Sequence, residues 1–182
     1  MIKTFIIYHS VYGSTKQYAQ WLGEELKGDL CEVKNFKPEM ITAYDIIIIG
    51  SGLYAGRMKG LNLLIKHYDL LKDKKLIIYT CGLSDPSNDD NKSNIMKRVK
   101  KTIPQDILSQ IKIFFLRGSI NYSDLSLIHK LGMAILKKIQ SRKPYNKMSQ
   151  EEKEFIDTYG KKLSFTDKKC IADIIEYCQK IK

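Results

Sequence analysis

A chain of 182 residues with 43% hydrophobic content can bury one sizeable core, so a single domain over 1–182 is expected. No apolar run is long enough to span a bilayer, and the first residues enter a strand-like segment without a charged leader, which predicts a soluble, cytoplasmic protein. The four cysteines, Cys31, Cys81, Cys170 and Cys178, form no C-x-x-C pair and indicate neither a zinc site nor a disulfide framework, while the net charge of +11 favours anionic partners.

In chain order, Ile2 to Tyr8 reads as a strand apolar on both faces, as in the middle of a parallel sheet. Ser14 to Lys27 follows as a helix stopped by Gly28, and Cys31 to Phe36 as an edge strand. Tyr44 to Gly52 is a buried strand ending in a glycine-serine turn, and Arg57 to Leu71 reads as a helix. Lys75 to Thr80 is the fourth strand, Ser93 to Thr102 a basic helix, and Ile111 to Leu116 the fifth strand. Strands separated by connections of this length imply parallel crossovers and a doubly wound α/β fold.

Residues 121–150 are more than such a fold requires and read as a basic helical insertion after the fifth strand. A helix over Asp124–Ile139 would carry Leu125, Ile128, Leu131, Ile135 and Ile139 as one stripe. A short helix over Glu151–Tyr159 and a last helix over Asp167–Ile181 complete the chain. Between Leu125 and Gln150 there are six basic residues and no acidic one, and between Lys92 and Lys101 five and none. The insertion stripe either packs on the domain or lies on an anionic membrane surface, which would make the protein peripheral at the inner face of the membrane. The basic clusters either attract anions or are solvated helix faces. No nucleic-acid recognition motif accompanies them, and no nucleic-acid partner is expected.

Chemistry concentrates at Ser10-Val11-Tyr12-Gly13-Ser14-Thr15, where a buried strand runs into a hydroxyl-rich turn that opens a helix. The first amides of that helix have no intrahelical partner and share the positive end of its dipole, so the turn suits an anion. Both G-x-G-x-x-G and G-x-x-x-x-G-K-[ST] are missing, which argues against a dinucleotide or a nucleoside triphosphate and for a single terminal phosphate.

Strand, S-x-Y-G-S-T, helix resembles the flavodoxin family, whose pattern is [ST]-x-T-G-x-T and whose ligand is FMN; Tyr12 stands where the middle threonine is usual. The resemblance implies a five-stranded sheet of order 2-1-3-4-5 with the ligand at the carboxyl ends of its strands. It implies Ser10, Tyr12, Gly13, Ser14 and Thr15 at the phosphate. Ser51, Gly52, Leu53, Tyr54, Ala55 and Gly56 would flank the ring, with Tyr54 stacked on it, and Thr80, Cys81, Gly82 and Leu83 would meet its pyrimidine edge.

Gly50-Ser51-Gly52-Leu53-Tyr54-Ala55-Gly56-Arg57 and Arg117-Gly118-Ser119-Ile120-Asn121-Tyr122, followed by the basic insertion, are similar to menaquinone-dependent protoporphyrinogen dehydrogenases. That similarity implies oxidation of a porphyrinogen with a quinone as electron acceptor, in heme biosynthesis. Arg57 and Arg117 are the candidates for the substrate propionates, unless they are ordinary surface arginines. His129 is either a proton carrier or structural, and His9 is expected to shape the turn. The readings left beside the enzyme are a flavodoxin-type electron carrier working with a redox partner protein, and a basic interaction module without catalysis.

Overall fold

The computed structural model describes every residue except Met1, Ala55 and Lys182. Strand β3 (Ile46–Gly52) is buried along its whole length and stands at the centre of the sheet, as its run of isoleucines requires. Strands β1 (Thr4–His9) and β4 (Lys75–Gly82) flank it, with β2 (Asp29–Glu32) and β5 (Ile111–Arg117) outside them. All four pairings are parallel and the order is 2-1-3-4-5. The pleat sorts the core into two layers. Phe5, Ile7, Ile47, Ile49, Leu76 and Ile78 face one side, whereas Ile6, Ile46, Ile48, Ile77 and Tyr79 face the other.

On the second side pack α1 (Ser14–Leu26) and α8 (Ala172–Lys180), through Tyr18, Leu22, Ile174 and Cys178. On the first lie α2 (Asn62–Lys66), α3 (Tyr68–Leu71), α4 (Asp89–Thr102) and α5 (Gln105–Leu108), where Leu64, Leu71, Val99 and Ile107 enter the core. Helix α4 begins earlier than predicted because Asn88 caps it, accepting from Asp90 N at 2.9 Å and Asn91 N at 3.2 Å. The edge strand also comes earlier. Helix α1 ends with Lys27 in the left-handed region, Gly28 N bonds back to Gly23 O, and the chain enters the sheet at once, leaving Val33–Asn35 as a 3-10 turn. The single helix expected over Arg57–Leu71 is instead a 3-10 turn followed by α2 and α3, interrupted at His67, whose φ of −121° is not helical.

After β5 the chain leaves the sheet and returns through a small antiparallel pair, β6 (Ser119–Asn121) with β7 (Lys162–Ser164). The helical insertion expected over 121–150 lies within this longer excursion. It carries α6 (Leu127–Gln140), capped by Ser126, and α7 (Gln150–Thr158), which opens with a Ser149–Glu152 capping box. Leu125 is buried just before α6, but α6 itself buries no residue, so the stripe predicted along it faces outward. The final helix is α8 preceded by a 3-10 turn that Asp167 caps through Lys169 N at 2.9 Å. Among the described residues, no helix is long and apolar enough to cross a membrane.

Candidate functional site

The carboxyl ends of β1, β3, β4 and β5 converge, as a sheet of this order demands at its point of winding reversal. The turn after β1 is shaped from within: Ser10 Oγ accepts from Gly13 N at 3.1 Å, and Gly13 adopts φ +95°, ψ −32°. A side chain there would be strained by the backbone, although the space around it is open. No side chain caps α1, so its first amides are available to an anion.

Ser14 and Thr15 do not add hydroxyls to that face. Ser14 Oγ lies 2.7 Å from Ser119 Oγ and accepts from Ser119 N at 2.9 Å, fastening the turn to β6. Thr15 Oγ1 is buried with no hydrogen-bond partner, next to the Cys81 thiol. Burial pushes that thiol up to about 12. Only the thiolate is nucleophilic. An alkylating reagent at neutral pH is therefore expected to modify the exposed Cys170 and leave buried Cys81 untouched until the chain unfolds. Peptide mapping after timed alkylation would show early Cys81 labelling if this is wrong.

Beside the turn is a cavity of about 440 Å³. Ser14, Cys81, Gly82 and Gly118 line its base, Leu53, Tyr54, Leu83 and Ile120 its sides, and Ile128, His129, Gly132, Met133 and Leu136 of α6 its roof. Tyr54 spans two loops: its hydroxyl accepts from Val11 N at 2.9 Å, its ring meets Tyr12 edge-on, and His129 stacks on it at 6.3 Å. Gly52 is needed for this, because a Cβ there would overlap the Tyr54 ring. The Tyr12 side chain turns toward α6. Its hydroxyl hydrogen-bonds with His129 Nδ1 and accepts from Ser126 N at 3.3 Å, tying the first loop to α6.

The remaining predicted positions divide. Cys81, Gly82 and Leu83 reach the cavity, but their carbonyls already accept from Leu53 N, Gly118 N and Arg117 Nε. Ser51 and Thr80 are buried in the sheet rather than exposed to the cavity. Gly56, at φ +79°, sits in a turn closed by two Tyr54–Arg57 backbone bonds, and Ala55 lies outside the described residues. Arg57 is exposed beside that turn. Arg117 is not available as a free cation: it contacts Glu154 at 2.8 Å and Asp85 at 3.5 Å, donates to Leu83 O at 2.9 Å and stacks on Phe165. His9 Nδ1 is buried without a partner, and burial, then Lys59, holds its pKa below the ordinary histidine value.

Sequence reasoning missed Gly118 and Ser119 as parts of the site. The available signal was the repetition of a glycine-serine turn at the end of the fifth strand. It also left His129 without its partners, since Tyr12 lies 117 positions away.

The family model described as flavodoxin domain matches residues 5–147. The chain belongs to that family. A curated relative, the uncharacterized protein MJ0298 of Methanocaldococcus jannaschii, is 33% identical over 57 residues, covering 31% of this chain and 38% of that protein. Among solved structures, a flavoprotein of Lactobacillus acidophilus described in complex with FMN is 17% identical, with 64% of this chain and 93% of that one covered and a TM-score of 0.40. The Trp repressor binding protein of Bacillus subtilis is 14% identical over 64% of this chain and 83% of its own, at a TM-score of 0.47. Two-electron reduced Megasphaera elsdenii flavodoxin is 13% identical over 63% and 83%, at 0.42. Membership of the flavodoxin domain family supports FMN as the cofactor, and the site fits it. An uncapped helix start beside an open glycine turn suits a phosphate, and the adjoining cavity, with apolar sides, suits a flat ring.

Proposed function

We propose that this flavodoxin domain is an FMN-dependent oxidoreductase whose roofed cavity holds the flavin ring and admits a flat, largely apolar substrate at the ring's edge, beneath α6. The observation that carries the reading is α6, which places Ile128, Gly132, Met133 and Leu136 over the cavity and leaves a ligand space bounded by the excursion. Bound FMN supplies the electron acceptor that no side chain offers. The α1 amides and Ser10 hold the phosphate, Tyr54, Leu53 and Leu83 position the ring, and the apolar roof limits water.

The finer reading is dehydrogenation of protoporphyrinogen with a quinone as acceptor. Support comes from the motif resemblance, the apolar roof and the chain's net charge of +11, which favours an anionic substrate. Exposed Arg57 remains the candidate for a propionate. Family membership supports a flavodoxin-type electron carrier equally well; the roofed cavity favours the enzyme.

The test is to purify the chain, add FMN, and record the visible spectrum and flavin fluorescence. Quenched, tightly bound flavin followed by catalytic turnover of protoporphyrinogen with a menaquinone analogue supports the enzyme. Bound flavin that exchanges electrons only with a redox protein supports the carrier, and failure of the folded chain to bind FMN leaves the interaction module. Gly13→Val is expected to weaken FMN binding about tenfold or more, since a β-branched residue resists the positive φ at this turn. Fluorescence titration of the folded variant checks this, and an unchanged affinity would remove the turn from the phosphate site.

A further inference from the structure

The outward side of α6 takes no part in the cavity apart from Ile128, which also lines the roof. Leu127 is 84% exposed, Ile128 80%, Leu131 63%, Ile135 51% and Ile139 57%, in a helix that buries no residue. At helical spacing these side chains form one continuous aliphatic face. Exposed Lys130 flanks it, exposed Lys138 and Arg142 lie at its C-terminal end, and no acidic residue occurs from Leu125 to Gln150.

We infer that this face docks on an anionic phospholipid bilayer, with α6 lying in the interface plane. An aliphatic sector edged by long cationic side chains is what such a surface binds: the chains bury their stems while the ammonium groups remain among the headgroups. Lysines near an anionic leaflet add attraction, and the segment has no acidic residue to oppose it. A second copy of the chain is a poorer occupant, because an isologous contact would bring together two segments carrying six basic residues each. Nucleic acid matches the charge but not the row of leucine and isoleucine.

The geometry has a further consequence. Ile128 and Leu136 line the cavity and are also exposed, so the cavity roof is continuous with the docking face. A bilayer seated there meets the edge of the roof, giving a lipophilic molecule a short apolar route inward. This docking does not depend on flavin and can be measured whether or not FMN binds.

Flotation of the full chain would use vesicles of pure phosphatidylcholine and vesicles in which about a quarter is phosphatidylglycerol. The expected result is flotation with the anionic vesicles, falling with added salt. Ile135→Glu should lower partitioning about tenfold or more, and so should Lys138→Glu combined with Arg142→Glu. All three positions are exposed, so circular dichroism melts should match the parent. Absence of the parent from anionic vesicles, or undiminished flotation of both variants, overturns the inference. So does a parent dimer in sedimentation that Ile135→Glu converts to monomer, which would make a second copy the occupant.

Discussion

Gly50→Ala should destabilise the chain by about 3 kcal/mol, near the top of the usual range for overpacking, and lower the melting temperature by roughly 10 °C for a domain of this size. Gly50 pairs with Tyr79 across β3 and β4, and an added Cβ would overlap the end of the phenol ring, 2.6 Å from Cε1. Tyr79 has no room to retreat, being fully buried, and its hydroxyl donates to Thr15 O at 2.8 Å. That bond supports the first turn of α1 from beneath, so Gly50→Ala should weaken FMN binding as well as folding. Adding Tyr79→Leu should recover part of the lost stability, because a shorter side chain vacates the space the methyl needs, whereas Tyr79→Phe should recover little. The double-mutant cycle is thus predicted to be non-additive. Thermal melts of the four variants decide it, and strict additivity would mean that the glycine does not make room for the tyrosine.

The sheet was legible because its signals are local. Ile46-Ile47-Ile48-Ile49 cannot leave either face in water, and a strand buried on both faces between helices predicts a parallel sheet. The uncapped, glycine-containing start of α1 was equally local, since backbone conformation follows from residues 10–15. What the sequence hid depends on distant partners. Ser14 looked like a phosphate donor, yet its hydroxyl bonds to Ser119, 105 positions later. Strands β6 and β7 have three residues each, too few for an alternation to be seen. The stripe on α6 has the same spacing as that of a core helix. Periodicity reports that a face is apolar without saying what covers it, so the choice between the domain and an external surface required coordinates.

Arg117→Met is expected to cost about 2 kcal/mol, between the values for an exposed and a buried pair, because the arginine side chain retains 18% exposure but that of Glu154 retains 37%. Arg117 is the last residue of β5 and holds the excursion at several points. Its guanidinium reaches Glu154 of α7 at 2.8 Å, stacks 3.5 Å from the Phe165 ring centroid just after β7, and donates through Nε to Leu83 O beside the cavity. Methionine can retain some packing, but it leaves the Glu154 carboxylate unpaired and a carbonyl without its donor. The loss should therefore be felt first in the excursion, as faster proteolytic cleavage between residues 122 and 160, with the cavity roof loosened as a result. Arg117→Lys should recover only a fraction, since one ammonium cannot reproduce a planar group that pairs, donates and stacks at once. This separates the structural role from substrate binding. A propionate-binding arginine would leave the melt and the cleavage rate unchanged on replacement while raising KM, and lysine would restore much of the binding. Loss of stability with poor lysine rescue, together with measurable coupling between Arg117→Met and Glu154→Gln, identifies Arg117 as the clasp that holds α7 to the end of β5.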